Sequence, residues 1–368
     1  MSGVRYVGYL AEGTGYGQAA REHLLAMAGS GVSVGARSIL ISEQGPVEVP
    51  PDARHYPEVA RLAACAPPYD TVVLHTPPEI FTSVREEGRR NIGVAAWETD
   101  VLPAAWVPPI RAVDEIWVPS EFCAQAFRAA TDEHVAVIPH PVTPPSPRPR
   151  TFPDVPDDLF LFVSIFEWSD RKNPEALVRA FRRAFAGRRD VGLMLKVGLR
   201  FGGDTNALLS NIKRWISPFP WRSPPIYLLE QTDTASAVIA QLIARADAYA
   251  SLHRAEGFGL CMAEAMAAGK PVVATGYSGN LEFMDASCAF LVDYDMVPLR
   301  QELSYHRFFS PDMQWAEPKM DDAIDKLRAC VDRAGDRARI ADRGRARVAA
   351  TLAPAVIGRR MRERVDRP

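Results

Sequence analysis

The chain has 368 residues, of which 47% are apolar and 24% charged, and its formal net charge is −2. This length accommodates two domains of ordinary size, and the composition is typical of a soluble globular protein. No apolar run approaches the roughly 18 residues that a membrane span needs, and the N-terminus lacks the pattern of a signal peptide. The five cysteines are scattered without CxxC spacing, which favours reduced thiols in a cytoplasmic protein over disulfides or a structural zinc.

Charge is unevenly spread along the chain. From Arg333 to the end, eleven arginines stand against four acidic residues. Such a tail can contact an anionic membrane surface, or it can consist of helix faces exposed to solvent. Peripheral membrane contact through the basic C-terminus is therefore one of two hypotheses. Outside the tail there is no stripe of basic and aromatic residues, so we expect no nucleic-acid partner.

The first predicted unit is a strand at residues 6–10, a glycine-rich turn and a helix at residues 18–27. Gly13, Gly15 and Gly17 give the turn a GxGxG spacing. This pattern is typical of the first βα unit of a doubly wound domain. It differs from the dinucleotide fingerprint in spacing, and no acid ends a second strand about 20 residues later. The turn either contacts a ligand or is a tight turn without one.

Four more apolar strands are predicted, at residues 72–75, 91–97, 115–119 and 135–138. Ser120 is the predicted N-cap of a helix at residues 121–130. Strands that end in polar turns indicate a parallel sheet with its functional residues at the carboxyl edge. His75, Glu98 and Asp100 would line that edge, although a structural role suits His75 equally well.

Eight prolines between residues 139 and 156 predict a semi-rigid linker before a second alternating series. The predicted strands of this series lie at residues 160–166, 191–197, 226–229, 247–252 and 272–274, with helices from residue 174, at 206–216 and at 235–244. Asn173 fits the N-cap of the first of these helices. Arg171 and Lys172 precede it at the end of a strand, where two cations can hold two phosphates or form a surface pair. Lys196 lies in the next strand.

Residues 253–275, HRAEGFGLCMAEAMAAGKPVVAT, predict a loop, a helix, a tight turn and a strand. Gly257 and Gly259 flank Phe258 just before the helix, and a glycine-flanked helix start can bind an anion through its unpaired N–H groups. Glu256 lies just outside this helix and Glu264 about one turn inside it. These two acids either contact a ligand or are ordinary solvated helix residues.

The same stretch, extended through GYSGNLEFM, resembles the donor site of family 4 retaining glycosyltransferases, whose two glutamates stand eight positions apart (the E-x7-E motif). Six more segments agree with a bacterial branch of that family: EGTGYGQAAR, WETDVLPAAW, DEIWVPSEF, VIPHPV, RKNPEALVRAF and WAEP. The resemblance extends over nearly the whole chain. It implies an α/β protein of GT-B fold, with two Rossmann-like doubly wound domains facing across a cleft. The acceptor-side domain would span residues 1–145 with a crossover helix at about 354–368, and the donor domain residues 150–350.

The resemblance also implies an activity. The chain would be a retaining, hexosyltransferase-like enzyme that moves a sugar from a nucleotide-diphosphate-sugar to a glycan, a lipid-linked sugar or another small molecule. It would need no cofactor, since the nucleotide-sugar is a co-substrate, and family members usually need no metal. The nucleotide, the sugar and the acceptor are not readable from the sequence.

Residue roles follow by position from the same resemblance. Glu256 would contact the donor sugar and Glu264 the ribose, while Lys172 with Arg171 would neutralise the diphosphate. The other predicted donor contacts are the backbone of Gly257, Phe258 and Gly259, the turn of Gly13, Gly15 and Gly17, and Lys196. The acceptor-side candidates are His75, Glu98 and Asp100.

The sequence departs from the family pattern in two places. Phe166 stands where an arginine is usual, so Arg171 or Lys196 takes its place in our interpretation. Trp97 and Glu98 replace a histidine that is usual on the acceptor side. One DxD match, Asp293-Tyr294-Asp295, is interpreted as a loop and not as a metal site. A nicotinamide-dependent oxidoreductase would need the fingerprint that is missing here, and a non-catalytic nucleotide-binding protein would not need the full set of charged residues.

Overall fold

A computed structural model describes residues 3–131, 134–145, 152, 155–198, 210–212, 214–215, 223–230, 236–299 and 308–367. Contacts divide the chain into two units, an N-terminal unit of residues 1–143 with 350–368 and a C-terminal unit of residues 144–349. Each unit is an α/β structure with its own parallel sheet, which confirms the predicted fold class. Of the helix predicted at residues 206–216, residues 210–212 and 214–215 are described and are helical. Residues 146–151, 153 and 154 of the predicted linker lie outside the described residues.

The sheet of the N-terminal unit has seven strands in the order β3-β2-β1-β4-β5-β6-β7. These are β1 Val4–Gly8, β2 Val34–Ser42, β3 Gly45–Glu48, β4 Thr71–His75, β5 Arg90–Val94, β6 Glu115–Val118 and β7 His134–Val137. All neighbours pair in parallel except β2 and β3, which form an antiparallel hairpin. The chain winds one way from β1 to β2 and the other way from β4 onward. The switch point of this sheet therefore lies between β1 and β4, where doubly wound sheets bind their ligands.

The sheet of the C-terminal unit has six parallel strands in the order β10-β9-β8-β11-β12-β13. These are β8 Phe160–Glu167, β9 Val191–Gly198, β10 Ile226–Glu230, β11 Ala248–Ser251, β12 Val272–Thr275 and β13 Phe290–Val292. Its switch point lies between β8 and β11 by the same argument. A separate antiparallel hairpin follows, with β14 Tyr294–Pro298 paired to β15 Gln314–Pro318.

Eleven helices are found in the described ranges, together with short 3-10 turns. In the N-terminal unit these are α1 Gly15–Gly29, α2 Pro57–Ala63, α3 Phe81–Val84, α4 Val107–Ile110 and α5 Glu121–Ala130. The C-terminal unit adds α6 Pro174–Ala184, α7 Ser236–Arg245, α8 Leu260–Ala267, α9 Met320–Asp332 and α10 Ala334–Thr351, and α11 Pro354–Val365 is the last. Across the described part of the chain, no helix combines the length and hydropathy that a bilayer crossing requires.

The last helix, α11, packs on α1 in the N-terminal unit. Ile357 and Met361 are fully buried in one core with Leu24 and Met27 of α1. Gly358 permits the close approach, because a Cβ there would lie 2.2 Å from the carbonyl oxygen of Ala26. The polar face of the tail makes intramolecular contacts such as those of Arg364 with Glu115 (2.6 Å) and Arg362 with the Ser30 carbonyl (3.1 Å). The predicted membrane contact of this tail stays a prediction.

Most predicted strands agree with the structure to within a few residues, but three details were wrong. Helix α1 begins at Gly15 and not at residue 18, because Thr14 accepts a hydrogen bond from the Gly17 N–H (3.2 Å) and caps it there. The sequence analysis also missed β2, β3 and α2. Asp295 lies in strand β14 and not in a loop.

Candidate active site

The loops that follow β8 and β11 meet at the switch point of the C-terminal unit. The loop after β8 carries Arg171 and Lys172 in a short 3-10 turn, Asp170–Lys172. The loop after β11 carries Glu256 and leads into α8. Because β8 and β11 are neighbours in the sheet, two segments about 80 residues apart in sequence are brought side by side.

The loop after β8 turns sharply at Asn173, which has a left-handed backbone (φ 48°), and α6 then begins at Pro174. Asn173 occupies the predicted N-cap position, but its side chain does not cap the helix. Its Nδ2 instead donates to Oε1 of Glu317 at 3.3 Å. The N-cap prediction was therefore right in position and wrong in mechanism, because the left-handed backbone directs the side chain elsewhere.

The structure around the loop after β11 needs glycine at two positions, one in this loop and one in the loop after β12. Gly259 has φ 92° at the start of α8, in the left-handed region that favours glycine. Gly279, from the loop after β12, approaches so closely that a Cβ would lie 2.0 Å from the carbonyl oxygen of Gly257. Phe258 is buried against Phe283, with ring centroids 4.9 Å apart. The glycine-flanked phenylalanine is therefore an anchor for the loop as well as a helix start.

Glu256 binds both cations of the opposite loop, and we call Arg171, Lys172 and Glu256 the charged cluster. Oε2 of Glu256 accepts a hydrogen bond from Arg171 Nη1 at 3.0 Å, and Oε1 accepts one from Lys172 Nζ. Glu256 is only 7% exposed. Burial alone would raise the pKa of its carboxyl, but Lys172, Arg171 and His253 outweigh burial and lower that pKa to about 2. The carboxyl is therefore ionised at neutral pH.

A network behind the charged cluster fixes the backbone of Glu256. Its N–H donates to Ser278 Oγ at 2.8 Å, and its carbonyl accepts from the Gly279 N–H at 2.8 Å. Ser278 has φ 78°, which is strained for a residue other than glycine. Fully buried His253 lies with Nε2 3.1 Å from Asn280 Oδ1 and with Nδ1 3.0 Å from Ser251 Oγ. Burial is the main cause that lowers the pKa of His253.

The other predicted donor residues lie near the same point. Glu264 is half-buried one turn inside α8, and Lys196 is buried in β9 (1% exposed). Burial raises the pKa of the Cys261 thiol, Glu264 and Glu256 raise it further, and Lys172 and Lys196 lower it. Four of the five predicted charged residues of the donor site therefore act on the charge of one thiol, although sequence spacing alone could not show that Lys196 is among them.

The switch point of the N-terminal unit is uncharged where its histidines lie. His75 is 2% exposed, and its Nδ1 lies 2.6 Å from the hydroxyl of Tyr6. The ring of His75 stacks on that of His140 at 6.1 Å, and His140 Nδ1 lies 3.1 Å from His23 Nε2. We call His23, His75 and His140 the histidine cluster. Burial lowers the pKa of all three, that of His140 to about 4, so the cluster is neutral at pH 7.

The remaining predicted residues of this unit differ in exposure. Gly15 has open space around its Cβ position, whereas a Cβ at Gly17 would lie 2.4 Å from the Glu12 carbonyl oxygen. Gly13 precedes the cap residue Thr14. Glu98 is half-buried and Asp100 is exposed, both in the segment after β5. Burial raises the pKa of Tyr16, and Tyr9 and the carboxylates of Glu79, Glu12 and Glu98 raise it further.

The part of the chain that the structure describes contains no group of three or more His, Cys, Asp or Glu side chains placed to hold a metal ion. Within the DxD match, the Asp293 N–H donates to Asp322 Oδ2 at 2.8 Å, and Asp295 lies 3.6 Å from Lys319 Nζ. Asp293 and Asp295 therefore make structural contacts, the first just before the hairpin and the second within it.

Sequence reasoning missed the residues that support the charged cluster, namely His253, Arg254, Ser278, Asn280 and Glu317, and the two histidines at positions 23 and 140. Two segments of the sequence pointed to some of the supporting residues. The SGN and WAEP segments were part of the family resemblance but were given no role. His75 was a predicted candidate and His140 stands in the VIPHPV segment, but the histidine cluster itself could not be predicted, because its members meet only in the fold.

Comparisons with known proteins agree with this arrangement. Residues 157–301 match the family model described as glycosyl transferases group 1. Similar solved structures include sucrose-phosphate synthase from Thermosynechococcus elongatus (14% identity, 99% of this chain and 98% of that chain, TM-score 0.68). HepE from Anabaena, solved in complex with UDP and glucose, is also similar (15% identity, 100% of both chains, TM-score 0.65). So is a glycosyltransferase from Rickettsia africae (14% identity, 99% and 97% of the chains, TM-score 0.65).

At these identities the structural likeness establishes the fold. No curated protein sequence matches the chain. The matched segment begins just before β8 and extends past β14, so it contains the whole charged cluster and helix α8. The chain therefore has the GT-B fold, and its residues 157–301 match the model of group 1 glycosyltransferases.

Proposed function

We propose that this chain is a retaining glycosyltransferase that moves a sugar from a nucleotide-diphosphate-sugar to an acceptor. The observation that carries the proposal is the charged cluster at the switch point of β8 and β11, inside the segment that matches group 1 glycosyltransferases. Transfer of a sugar requires a diphosphate to leave, and fixed cations beside a helix N-terminus stabilise the charge that develops on it. Arg171, Lys172 and the start of α8 supply both features.

The donor is expected to be a UDP-sugar. The similar HepE structures contain UDP with glucose, or UDP-glucose. In our proposal the ribose diol donates to Glu264, and Lys196 adds positive charge on the β9 side. The Lys172 ammonium has three N–H donors, of which Glu256 accepts one, so Lys172 can also donate to a phosphate oxygen in this proposal.

Glu256 acts in this proposal as a fixed anion that orients the sugar. Its pKa of about 2 means that it cannot serve as a general acid at neutral pH. Two cations on its two oxygens also lower its nucleophilicity, which disfavours a double displacement through a glycosyl-enzyme. We therefore propose front-face transfer with retention, in which the leaving phosphate accepts the proton of the acceptor hydroxyl.

The acceptor side is assigned to the switch point of the N-terminal unit. The segments that follow β1, β4, β5 and β7 carry Glu12, Glu79, Glu98 and Asp100 but no lysine or arginine before the next helix or the linker. The histidine cluster adds no positive charge because burial keeps it neutral. This setting favours an acceptor with hydroxyl or amino groups over a phosphorylated one. His75, Glu98 and Asp100 remain the acceptor-side candidates, and the turn of Gly13 to Gly17 is proposed to approach the donor.

Metal independence is part of the proposal, since the cations of the cluster and the helix start do what a divalent ion does elsewhere. Activity should survive EDTA. Loss of activity that Mg²⁺ or Mn²⁺ restores would reopen the case for Asp293 and Asp295.

The experiment that tests the proposed function is a thermal-shift panel of UDP-, GDP- and dTDP-sugars followed by an assay of nucleotide release. A donor stabilises the fold it binds, by about 2.7 kcal/mol at 100 times its Kd. We expect UDP-sugars to raise the unfolding temperature and to be turned over. Binding without turnover in the presence of a broad acceptor panel would favour a non-catalytic nucleotide-binding protein, and no binding at all would contradict the proposal.

A further inference from the structure

The WAEP segment forms most of strand β15, in the hairpin that stands apart from both parallel sheets. This hairpin reaches the loop after β11 through its backbone. The Ala316 N–H donates to the carbonyl oxygen of Arg254 at 3.0 Å. The next residue, Glu317, therefore lies beside both loops of the charged cluster.

The carboxylate of Glu317 bridges those two loops. Its Oε2 accepts from Arg254 Nε at 2.6 Å, in the loop after β11. Its Oε1 accepts from Asn173 Nδ2 at 3.3 Å, in the loop after β8. One side chain thus binds the neighbour of Lys172 on one side and a residue two positions from Glu256 on the other.

Arg254 extends the bridge to the backbone that carries the two cations. Its Nη1 donates to the Asp170 carbonyl at 2.7 Å, and its N–H donates to the Arg171 carbonyl at 2.8 Å. The guanidinium also lies over the ring of Trp315, with its carbon 5.3 Å from the ring centroid. The 3-10 turn of Asp170–Lys172 is therefore held from behind at two consecutive carbonyls.

We propose that Glu317 is a positioning residue, which through Arg254 and Asn173 fixes Arg171 and Lys172 relative to Glu256. This inference rests on the proposed function and extends it to a residue outside the parallel sheet. A surface ion pair would contribute little by itself, and Glu317 is partly exposed. Its importance lies in geometry, since both of its oxygens bind the two loops whose side chains must meet with sub-ångström accuracy.

The first test is Glu317→Gln, with Asp336→Asn as the matched control. Asp336 forms an exposed ion pair with Arg339 at 2.6 Å on α10, a helix that carries no residue of either loop. With UDP-glucose as the probe, we expect Glu317→Gln to lower kcat about tenfold and to change KM less than threefold, because a misplaced group lowers the rate more than the binding. A kcat equal to that of Asp336→Asn would overturn the proposal.

A double-mutant cycle separates positioning from general destabilisation. If Glu317 acts through Lys172, then Glu317→Gln should have no further effect on kcat once Lys172 is alanine. An undiminished tenfold effect in the Lys172→Ala background would show that Glu317 acts elsewhere.

Amide hydrogen exchange tests the same geometry without any activity. In Glu317→Gln the amides of Arg254 and Ala316 should exchange faster than in wild type or Asp336→Asn. This result would support the positioning role even if the wild type transferred no sugar, an outcome that would overturn the proposed function alone. Unchanged exchange at both amides would overturn the positioning role whatever the protein transfers.

Discussion

The two units share a topology but differ in the chemistry of their switch points. Between β8 and β11 the C-terminal unit gathers Arg171, Lys172 and Glu256, with Lys196 close by. Between β1 and β4 the N-terminal unit gathers three histidines and two tyrosines. The same fold therefore presents a cationic site in one unit and a neutral-to-acidic site in the other.

Burial disfavours charge at both switch points, but the outcome differs because the neighbouring groups differ. In the C-terminal unit two cations outweigh the effect of burial and keep the buried Glu256 charged. In the N-terminal unit burial dominates, and the histidines are held uncharged next to one another. This contrast fits the proposed function, in which the C-terminal unit neutralises a departing diphosphate and the N-terminal unit binds an uncharged or cationic acceptor.

The largest expected effect tests the cationic half of the comparison. Lys172→Ala should lower kcat by about 10²-fold or more, the loss typical of one preorganised donor to transition-state charge. Steady-state kinetics with UDP-glucose would measure it. Lys326→Ala is the control, because Lys326 lies on α9 beside Asp322 (3.6 Å), away from the cluster. A Lys172→Ala enzyme within a few-fold of wild type would mean that the diphosphate lies elsewhere.

A smaller effect is expected for Glu264→Ala, which sharpens the assignment of the nucleotide to α8. Loss of a charged acceptor for the ribose should weaken UDP binding by about 1.5–3 kcal/mol. Calorimetry with UDP would report the change, with Glu175→Ala as a control because Glu175 is an exposed helix residue paired with Arg179 at 2.5 Å. Equal affinity of wild type and Glu264→Ala, with the fold intact, would exclude the ribose role.

The smallest expected effect concerns the neutral histidine cluster of the N-terminal unit and its contribution to stability. Burial holds the pKa of His140 at about 4 in the folded chain, against about 6.5 when unfolded. Below pH 6.5 the unfolded chain binds more protons, so stability present above that pH is lost as pH falls towards 4. The free energy of unfolding should therefore fall by about 1.4 kcal/mol for each histidine of the cluster when the pH is lowered from 7.5 to 5.5.

Urea unfolding of His140→Gln at these two pH values measures that contribution. The variant should show a pH difference in the free energy of unfolding that is smaller than wild type by about 1.4 kcal/mol. His134→Gln is the control, because His134 lies exposed on β7 of the same unit. A pH difference that His140→Gln leaves unchanged would mean that the cluster is not held neutral.

Much of the fold could be predicted because its signals are local. Alternating apolar strands and glycine-marked turns predicted most of the parallel strands, and the tight turn predicted after α8 is found at Gly269, whose backbone is left-handed (φ 72°). The β2–β3 hairpin was missed because the sequence offers no strong turn pair between its strands. The position of Asn173 was readable, but its bond to Glu317 was not, because the two residues are distant in sequence.

The candidate site was predicted in part for the same reason. Glu256 and Glu264 stand on one short segment, so their spacing was visible. Arg171 and Lys172, the partners of Glu256, precede it by about 80 residues. Only the adjacency of β8 and β11 in the sheet shows that Glu256 binds both. The supporting residues Arg254, Ser278 and Glu317 act through contacts between segments that are distant in sequence, which no spacing rule reveals.

The stereochemistry of transfer tests the central claim that Glu256 is a fixed anion held by two cations and not the nucleophile. The anomeric configuration of the product would be read by NMR for wild type and for Glu256→Gln, and the protein would be searched by mass spectrometry for a sugar ester. The account predicts retention in both enzymes, a lower kcat in Glu256→Gln and no ester. An inverted product, or a sugar ester on Glu256, would contradict it.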